Sequence, residues 1–264
     1  MTRTPRGLLA FHMLFAAFML APLVMVVLVS FTDKGFISLP FDGASWRWFL
    51  AILDNRDFIT AFQRSLWLAA GSATLAVMLA MPAGLAIAWH RFRGRDALLG
   101  LLLSPLMVPP IVLGIAMLRF LTQIGGSGTM TGLVAAHTVV VMPYVLRLVV
   151  AAATGFDRNV AHAAESLGAS PLTVFRRIEL PLILPGVAGG WLIAFITSFD
   201  ELSLTIFVAS PSTQTLPVKM YAYIANTIDP LLASISTVML AMTFVVMIVL
   251  ERFFGLERVL GGKA

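Results

Sequence analysis

The stretch FDRNVAHAAESLGASPLTVFRRIELPLILPG, from Phe156 to Gly186, separates two long apolar runs. NVAHAAESL has helical character, and Gly168 is suited to end that helix in a left-handed conformation. Ser170 and Pro171 then have the pattern of an N-cap followed by proline at the first helical position. LTVFRRIEL predicts a second short helix that closes before Pro181. We therefore expect a helix–turn–helix with apolar and basic faces, suited to docking on a soluble partner.

The apolar runs on either side indicate an all-α integral membrane protein. Of the 264 residues, 59% are hydrophobic and 12% are charged, whereas soluble domains carry about twice that share of charge. Runs of about 20 apolar residues span a bilayer as helices. Six such spans are predicted in a single domain, residues 1–264, at approximately 8–30, 62–89, 98–121, 131–153, 186–209 and 230–250. The first is expected to be a retained helix, since no small-residue cleavage site closes it.

Prolines predict a break within the third span. SPLMVPPIVLG contains Pro105, Pro109 and Pro110. Proline inside a helix removes a backbone hydrogen bond and clashes with the preceding turn. We expect this span to kink or break there.

Lys and Arg are distributed unequally between the alternating loops. One set of loops carries eleven of these residues and the other carries five. Because the more basic loops stay in the cytoplasm, both termini and the loop at residues 154–185 are predicted to be cytoplasmic. The first outer loop contains ASWRWFLAIL, Ala44 to Leu53, whose aromatic residues predict a short helix at the membrane interface.

Several kinds of chemistry are not indicated. The chain has no cysteine, which excludes disulfides, thiol catalysis and thiolate metal sites. Its four histidines have no metal-ligand spacing, and no G-x-x-x-x-G-K-[ST] phosphate-binding sequence is present. We expect no catalytic residue, metal or cofactor on this chain. Its basic residues flank apolar spans, so they do not indicate nucleic-acid binding.

Two adjacent acids lie within the fifth predicted span, in ITSFDELSLTIF from Ile196 to Phe207. A carboxylate inside a bilayer is costly and usually functional. With the neighbouring hydroxyls, these acids predict a wet, anion-rich surface that an organic cation passes. The predicted path residues are Thr197, Ser198, Asp200, Glu201 and Ser203.

Other interpretations of the two acids remain open at this point. The first is a structural ion pair or interhelical hydrogen bond, with Arg119 or His137 as the partner. A second is a proton carrier in a secondary transporter, and a third is an intramembrane enzyme. The secondary transporter does not account for the organised loop at residues 154–185, and the sequence shows no nucleophile or metal site for the enzyme.

That loop resembles the EAA loop of ABC importer permeases, whose pattern is E-A-A, three residues, G, nine residues, I, one residue, L-P. The residues at the matching spacings are Ala163, Ala164, Gly168, Ile178, Leu180 and Pro181. The leading Glu is replaced by His162, and an acid follows three positions later at Glu165. In that family the loop forms the coupling helix, which sits in a cleft of the ATPase subunit.

A narrower resemblance covers SFDELSLTIFVASPSTQTLPVKMYAYIANTIDP, residues 198–230. It is similar to permeases of the spermidine/putrescine branch, which carry SFD, a second acid and then T-L-P in the following outer loop. Thr215, Leu216 and Pro217 supply T-L-P here. Several polyamine permeases also carry an acid in the third span, where this chain has Pro110.

These resemblances imply a type I ABC importer permease fold in a bacterial inner membrane. They imply a second, different permease subunit, two ATPase subunits that bind ATP and magnesium, and a periplasmic solute-binding protein. The implied solute is a polyamine or a related amine-bearing compound. The alternatives are an opine, an aminophosphonate or an amino-acid derivative carried by the same class of importer.

Overall fold

The computed structural model describes residues 6–37 and 43–254, and these residues are almost entirely helical. Their helices in chain order are α1 (Arg6–Ser30), α2 (Arg47–Asp54), α3 (Arg56–Trp89), α4 (Arg95–Leu103), α5 (Pro110–Gln123), α6 (Met130–Thr154), α7 (Asn159–Ser166), α8 (Pro171–Val174), α9 (Leu180–Phe199), α10 (Thr205–Val208), α11 (Leu216–Ile224) and α12 (Leu231–Phe254). A 3-10 turn, Ser104–Met107, follows α4, and a π-helical turn, Phe175–Glu179, joins α8 to α9. The predicted all-α class is therefore confirmed.

Several helices have the length and apolarity of membrane spans. Among the described residues, five helical segments are long and apolar enough to cross a membrane: Gly7–Ser30, Arg56–Trp89, Met130–Thr154, Pro171–Phe199 and Leu231–Val249. Two further helical segments, Arg95–Met107 and Pro110–Gln123, pass this test together, and the number of candidate spans is six if this bent pair is counted as one. Three of the basic residues used for the orientation, Arg3, Arg258 and Lys263, lie outside the described ranges.

The third span is broken where its prolines predict. Its two segments are bent by 105°. Val108 and Pro109 are both extended, with ψ of 129° and 133°. Each of them precedes a proline, and the proline ring disfavours helical backbone in the residue before it. Pro110 then begins α5, a position whose N–H would have no partner within the helix, so its absence costs no hydrogen bond.

The fifth span differs from its predicted bounds of 186–209. Continuous helical structure already begins at Pro171, and α9 ends at Phe199. Asp200 is the C-cap, with φ −92° and ψ 0°. The two acids therefore do not occupy adjacent positions within a helix, as the apolar pattern predicted. They begin a non-helical segment, residues 200–204, which we call the acidic break.

Two compact units divide the chain: residues 1–60 with 220–244, and residues 61–219 with 245–264. In the first unit, the hydroxyl of Ser234 on α12 donates to the carbonyl of Ser30 at the end of α1, at 3.2 Å. The rings of Phe31, Trp46 and Phe49 cluster with centroids 5.0–5.2 Å apart. This cluster anchors α2, which confirms the short helix predicted in ASWRWFLAIL.

In the second unit, α6 packs closely along α9. A Cβ added to Gly186 would lie 2.5 Å from Ala152 Cβ, and one added to Gly190 would lie 3.1 Å from Val145 Cα. Only glycine allows the two backbones to approach this closely, as is common at membrane helix contacts. This packing brings the end of α9, and with it the acidic break, beside α6.

Candidate functional site

The acidic break presents two carboxylates in different environments. Asp200 is exposed, whereas Glu201 is half-buried. Glu201 Oε1 accepts a hydrogen bond from the backbone N–H of Leu204 at 2.7 Å. The side chain therefore satisfies an amide that the interrupted helix leaves without a partner. Glu201 therefore supports the local backbone, whereas Asp200 remains exposed.

A buried imidazole on α6 contacts both edges of the acidic break. His137 has no exposed surface. Its Nδ1 lies 2.8 Å from the hydroxyl of Ser198, and its Nε2 lies 2.9 Å from the hydroxyl of Thr205. Ser198 belongs to the last turn of α9, and Thr205 is the first residue of α10.

The structural ion pair considered for the acids is not formed with either of its expected partners. Both ring nitrogens of His137 face hydroxyl groups. Arg119 is exposed, and no hydrogen bond or ion pair among the described residues joins it to Asp200 or Glu201. The carboxylates are therefore not neutralised by these two groups.

The structure separates the five predicted path residues into two groups. Thr197 and Ser203 are half-buried, and they flank the acids in the chain. Ser198 is 2% exposed, and its hydroxyl is engaged by His137. It therefore faces α6, where it positions the acidic break. The predicted path residues that keep exposed surface are Thr197, Asp200, Glu201 and Ser203.

The apolar side of the acidic break is anchored in a packed core. The buried members of this cluster are Leu68, Leu121, Leu133, Ala136, Leu204 and Val208. On α5, a Cβ added to Gly114 would lie 3.0 Å from Leu204 Cα and 3.0 Å from Phe207 Cδ2. The backbone of α5 therefore lies directly against the break. Because interiors are close-packed, the apolar side of the break has little room to move.

The sequence indicates His137 only as a possible partner of the acids, and Thr205 is not among the predicted path residues. The signal available was a lone histidine in an apolar span, which does not specify a partner. Thr205 lies seven residues after Ser198, and only the end of α9 between them brings both hydroxyls to one ring. A continuous helix would have separated them by about two turns along its axis.

The first half of the loop at residues 154–185 has the predicted conformation. Helix α7 covers Asn159–Ser166. Gly168 follows with φ +91°, in the left-handed region. Ser170 is the N-cap of α8, with its hydroxyl accepting from the N–H of Thr173 at 3.3 Å. Pro171 is the first residue of α8.

The second predicted helix of the loop does not close before Pro181; that boundary is wrong. Helical structure passes through Pro181 into the fifth span. The N–H of Leu180 donates to the carbonyl of Phe175, five residues back, within the π-helical turn. This wider turn lets the chain continue, and Pro181 lies in the first turn of α9, where a missing N–H is tolerated.

The matching positions of the loop lie on both sides of its turn. Ala163 is exposed and Ala164 is half-buried on α7, while Ile178 and Leu180 are half-buried near the start of α9. His162, in the position of the leading Glu, lies with Nδ1 3.4 Å from Glu165 Oε2 on the exposed face of α7. The departure from the pattern thus places a histidine–carboxylate pair there.

Three large apolar side chains of the loop are exposed. Leu167 is 89% exposed, Leu172 is 58% exposed and Val160 is 49% exposed. Apolar groups of this size grouped on a short helix–turn–helix are typical of a docking surface. We call residues 159–172 the docking loop.

The T-L-P segment lies at the start of α11. The N–H of Leu216 donates to the hydroxyl of Ser65 on α3 at 2.8 Å. Thr215, Leu216 and Pro217 are all buried. This segment therefore ties the predicted outer loop to the second span.

In the described part of the chain, no group of three or more His, Asp or Glu side chains is arranged to hold a metal ion.

The multi-pass helical fold, the broken third span, the docking loop and the acidic break define a class of membrane transport component. The model of the family "Binding-protein-dependent transport system inner membrane component" matches residues 80–256. The chain belongs to this family, and it is a multi-pass inner-membrane protein. The membership confirms the resemblance of its loop to that of importer permeases.

Individual relatives agree with this assignment. The chain is 31% identical over 239 residues to the spermidine/putrescine transport system permease protein PotC of Haemophilus influenzae, covering 90% of this chain and 93% of that protein. It is 35% identical over 191 residues to the molybdenum transport system permease protein ModB of Mycobacterium bovis, covering 67% and 72%. A crystal structure of a bacterial ABC transporter involved in alginate import has the same fold, with a TM-score of 0.73 at 16% identity, covering 96% and 99%.

Proposed function

We propose that this chain is a permease subunit of an ATP-driven bacterial importer for a polyamine, such as putrescine or spermidine, or a related amine. The acidic break carries the proposal: exposed Asp200 and half-buried Glu201 interrupt an apolar span. The polyamine permease among the relatives supports the same solute class.

Two adjacent carboxylates suit an alkyl ammonium ion. Each negative carboxylate attracts the positive ammonium group more strongly in the partly dry environment of a membrane protein than in water. The hydroxyls of Thr197 and Ser203 supply further acceptors for the ammonium hydrogens. Asp200 is exposed, so it is the first of the two acids that an entering cation would meet. Affinity at this point should be moderate, because a path must also release its cargo.

The remainder of the complex follows from the family. A periplasmic binding protein would deliver the solute, and a second, different permease subunit would complete the path. Two ATPase subunits would bind ATP and magnesium and hydrolyse ATP, so the permease itself would be neither an enzyme nor a cofactor-binding protein. The docking loop would seat in the ATPase. This requires cytoplasmic termini, an orientation that the Lys and Arg distribution supports.

An anionic cargo is the second possibility, since a molybdenum transport permease is also a relative. The acidic break argues against it, because like charges near one another in a low-dielectric region repel. A proton-coupled secondary transporter is disfavoured by the family, whose members serve binding-protein-dependent transport.

The test is uptake of labelled putrescine and spermidine by cells that contain the intact complex. Glu201→Gln removes the charge but keeps an oxygen that is able to accept from Leu204, whereas Glu201→Ala removes both. The variant Asp200→Asn/Glu201→Gln should lose uptake at least about tenfold, the effect of losing one charge-assisted contact. Asp96→Asn, an exposed acid of α4, is the matched control.

The outcomes separate the interpretations. A cation path is supported if the double variant assembles normally but loses uptake, while Asp96→Asn keeps normal uptake. Normal uptake in the assembled double variant rejects it. If wild type imports neither amine but imports labelled molybdate, the solute class is wrong while the permease assignment stands. Transport that survives removal of the ATPase would favour a secondary transporter.

A further inference from the structure

A single imidazole spans the acidic break. His137 Nδ1 contacts Ser198 before the break, and His137 Nε2 contacts Thr205 after it. All three side chains are buried, with 0%, 2% and 0% exposure for His137, Ser198 and Thr205. The ring lies on α6, a different span from the one that carries the acids.

The hydrogen bonds of Thr205 define which ring nitrogen carries the proton. The Thr205 hydroxyl donates its one hydrogen to the carbonyl of Glu201 at 2.8 Å. It must therefore accept from His137, which requires a proton on Nε2. In the neutral ring Nδ1 is then an acceptor, and Ser198 donates to it. With the opposite tautomer, Thr205 would have to give its hydrogen to Nε2, and its bond to Glu201 would be lost.

The result is a directed chain of hydrogen bonds that ends on an acidic residue. It runs from the Ser198 hydroxyl through His137 to the Thr205 hydroxyl and then to the backbone of Glu201. The side chain of Glu201 is held in turn by the N–H of Leu204. The backbone carbonyl of this acid is thus bound by a hydroxyl that the ring contacts, and its side chain is bound by an amide of the same short segment.

We propose that His137 is a positioning residue for solute transfer, which clamps the two edges of the acidic break and thereby orients Glu201 and Asp200. The inference rests on the proposed function, because it assigns His137 a role through those acids. The clamp acts by offering one acceptor and one donor on a rigid ring. An apolar side chain of similar size would fill the space without supplying either group.

The first experiment measures the geometry of the break without transport. Because the chain has no cysteine, Leu202→Cys, in the middle of the break, gives this chain a single thiol, and labelling is read on this chain after the subunits are separated. In the assembled complex, its reaction with a hydrophilic maleimide reports how often the break opens. Adding His137→Leu should speed the reaction about tenfold, as expected when two hydrogen bonds that close the break are removed.

Two further variants distinguish a clamp from a simple packing role. His137→Gln has an amide with one acceptor and one donor on a planar group, and it should return labelling to within about twofold of the parent. Thr138→Val is the matched control, since Thr138 is a buried neighbour on α6 whose hydroxyl donates within its own helix, to the carbonyl of Val134. Should His137→Leu not assemble, Ser198→Ala/Thr205→Val deletes the same two contacts from the other side.

The second experiment connects the clamp to the acids. Initial rates of putrescine uptake are compared for His137→Leu, Glu201→Gln and the combination. If His137 acts through Glu201, its substitution should lower uptake in the wild-type background at least about fivefold and have little further effect beside Glu201→Gln. A merely structural role predicts that the two losses multiply.

Each outcome decides one claim. Unchanged labelling in His137→Leu, or labelling as fast in His137→Gln as in His137→Leu, overturns the clamp. Multiplying losses overturn its action through Glu201. If Asp200→Asn/Glu201→Gln imports normally, the proposed function fails, while the labelling rates still decide whether the clamp exists. The inference is supported if His137→Leu speeds labelling, His137→Gln restores slow labelling, and the uptake losses of His137→Leu and Glu201→Gln do not multiply.

Discussion

The close contact between α5 and the acidic break predicts that Gly114→Ala harms both stability and transport. The added Cβ would lie 3.0 Å from Leu204 Cα, 3.0 Å from Phe207 Cδ2 and 3.3 Å from the carbonyl oxygen of Leu204. Carbon atoms pack favourably at about 3.5–4.0 Å, so the break must move by roughly 0.5–1 Å. Two of the three neighbours are backbone atoms, which cannot rotate aside.

Two opposing effects determine how much Gly114→Ala changes the free energy of unfolding. Alanine improves the helix by about 1 kcal/mol relative to glycine. Overpacking costs about 1–3 kcal/mol, and a backbone neighbour places the cost at the upper end. The expected net destabilisation is about 2 kcal/mol, or a fall of about 4–8 °C in the apparent Tm for a chain of this size.

The assay is thermal unfolding of the assembled complex, together with putrescine uptake below the transition. Gly100→Ala is the control, because a Cβ there meets nothing within 4 Å. It should leave Tm unchanged or raise it slightly and should transport normally. If Gly114→Ala unfolds at or above the wild-type temperature and also imports normally, the break is not held by α5 as described.

Three further predictions follow from the same second unit. Gly186→Ala should destabilise the chain by about 2–3 kcal/mol, since its Cβ would lie 2.5 Å from Ala152 Cβ; a Tm equal to that of Gly71→Ala, where the nearest atom is at 3.6 Å, would contradict this. Gly168→Ala should cost about 1–2 kcal/mol, because alanine resists the left-handed conformation seen at φ +91°, and ATP-dependent uptake should fall while the solute-binding protein still docks. Leu167→Asp should leave Tm unchanged, because this side chain is 89% exposed, but it should reduce co-purification of the ATPase; normal co-purification would show that Leu167 lies outside the docking contact.

The helices and the docking loop follow from local sequence signals. Apolar length alone predicts the spans, because a bilayer offers the backbone no other hydrogen-bonding partner. Pro109 and Pro110 predict the break in the third span, since proline restricts its own φ and the backbone of the residue before it. Gly168, Ser170 and Pro171 predict the turn of the docking loop for similarly local reasons.

Two boundaries could not be predicted, and both depend on backbone hydrogen bonds. Pro181 should have ended the second helix of the loop, but a π-helical turn carries the chain past it. The run ITSFDELSLTIF should have continued the fifth span as helix, but α9 ends at Phe199. The apolar composition of these two stretches does not reveal whether their backbone is helical or interrupted.

The sequence by itself determined the class of the protein: the membrane spans, the docking loop and the presence of two acids in an apolar segment. Only the tertiary structure decided how those acids are presented. Glycines on α9 bring that helix against α6, where His137 lies between Ser198 and Thr205. The physical reason is range: helix length and turn conformation depend on neighbours in the chain, whereas the clamp requires side chains 61 and 68 residues away from His137 to meet in space.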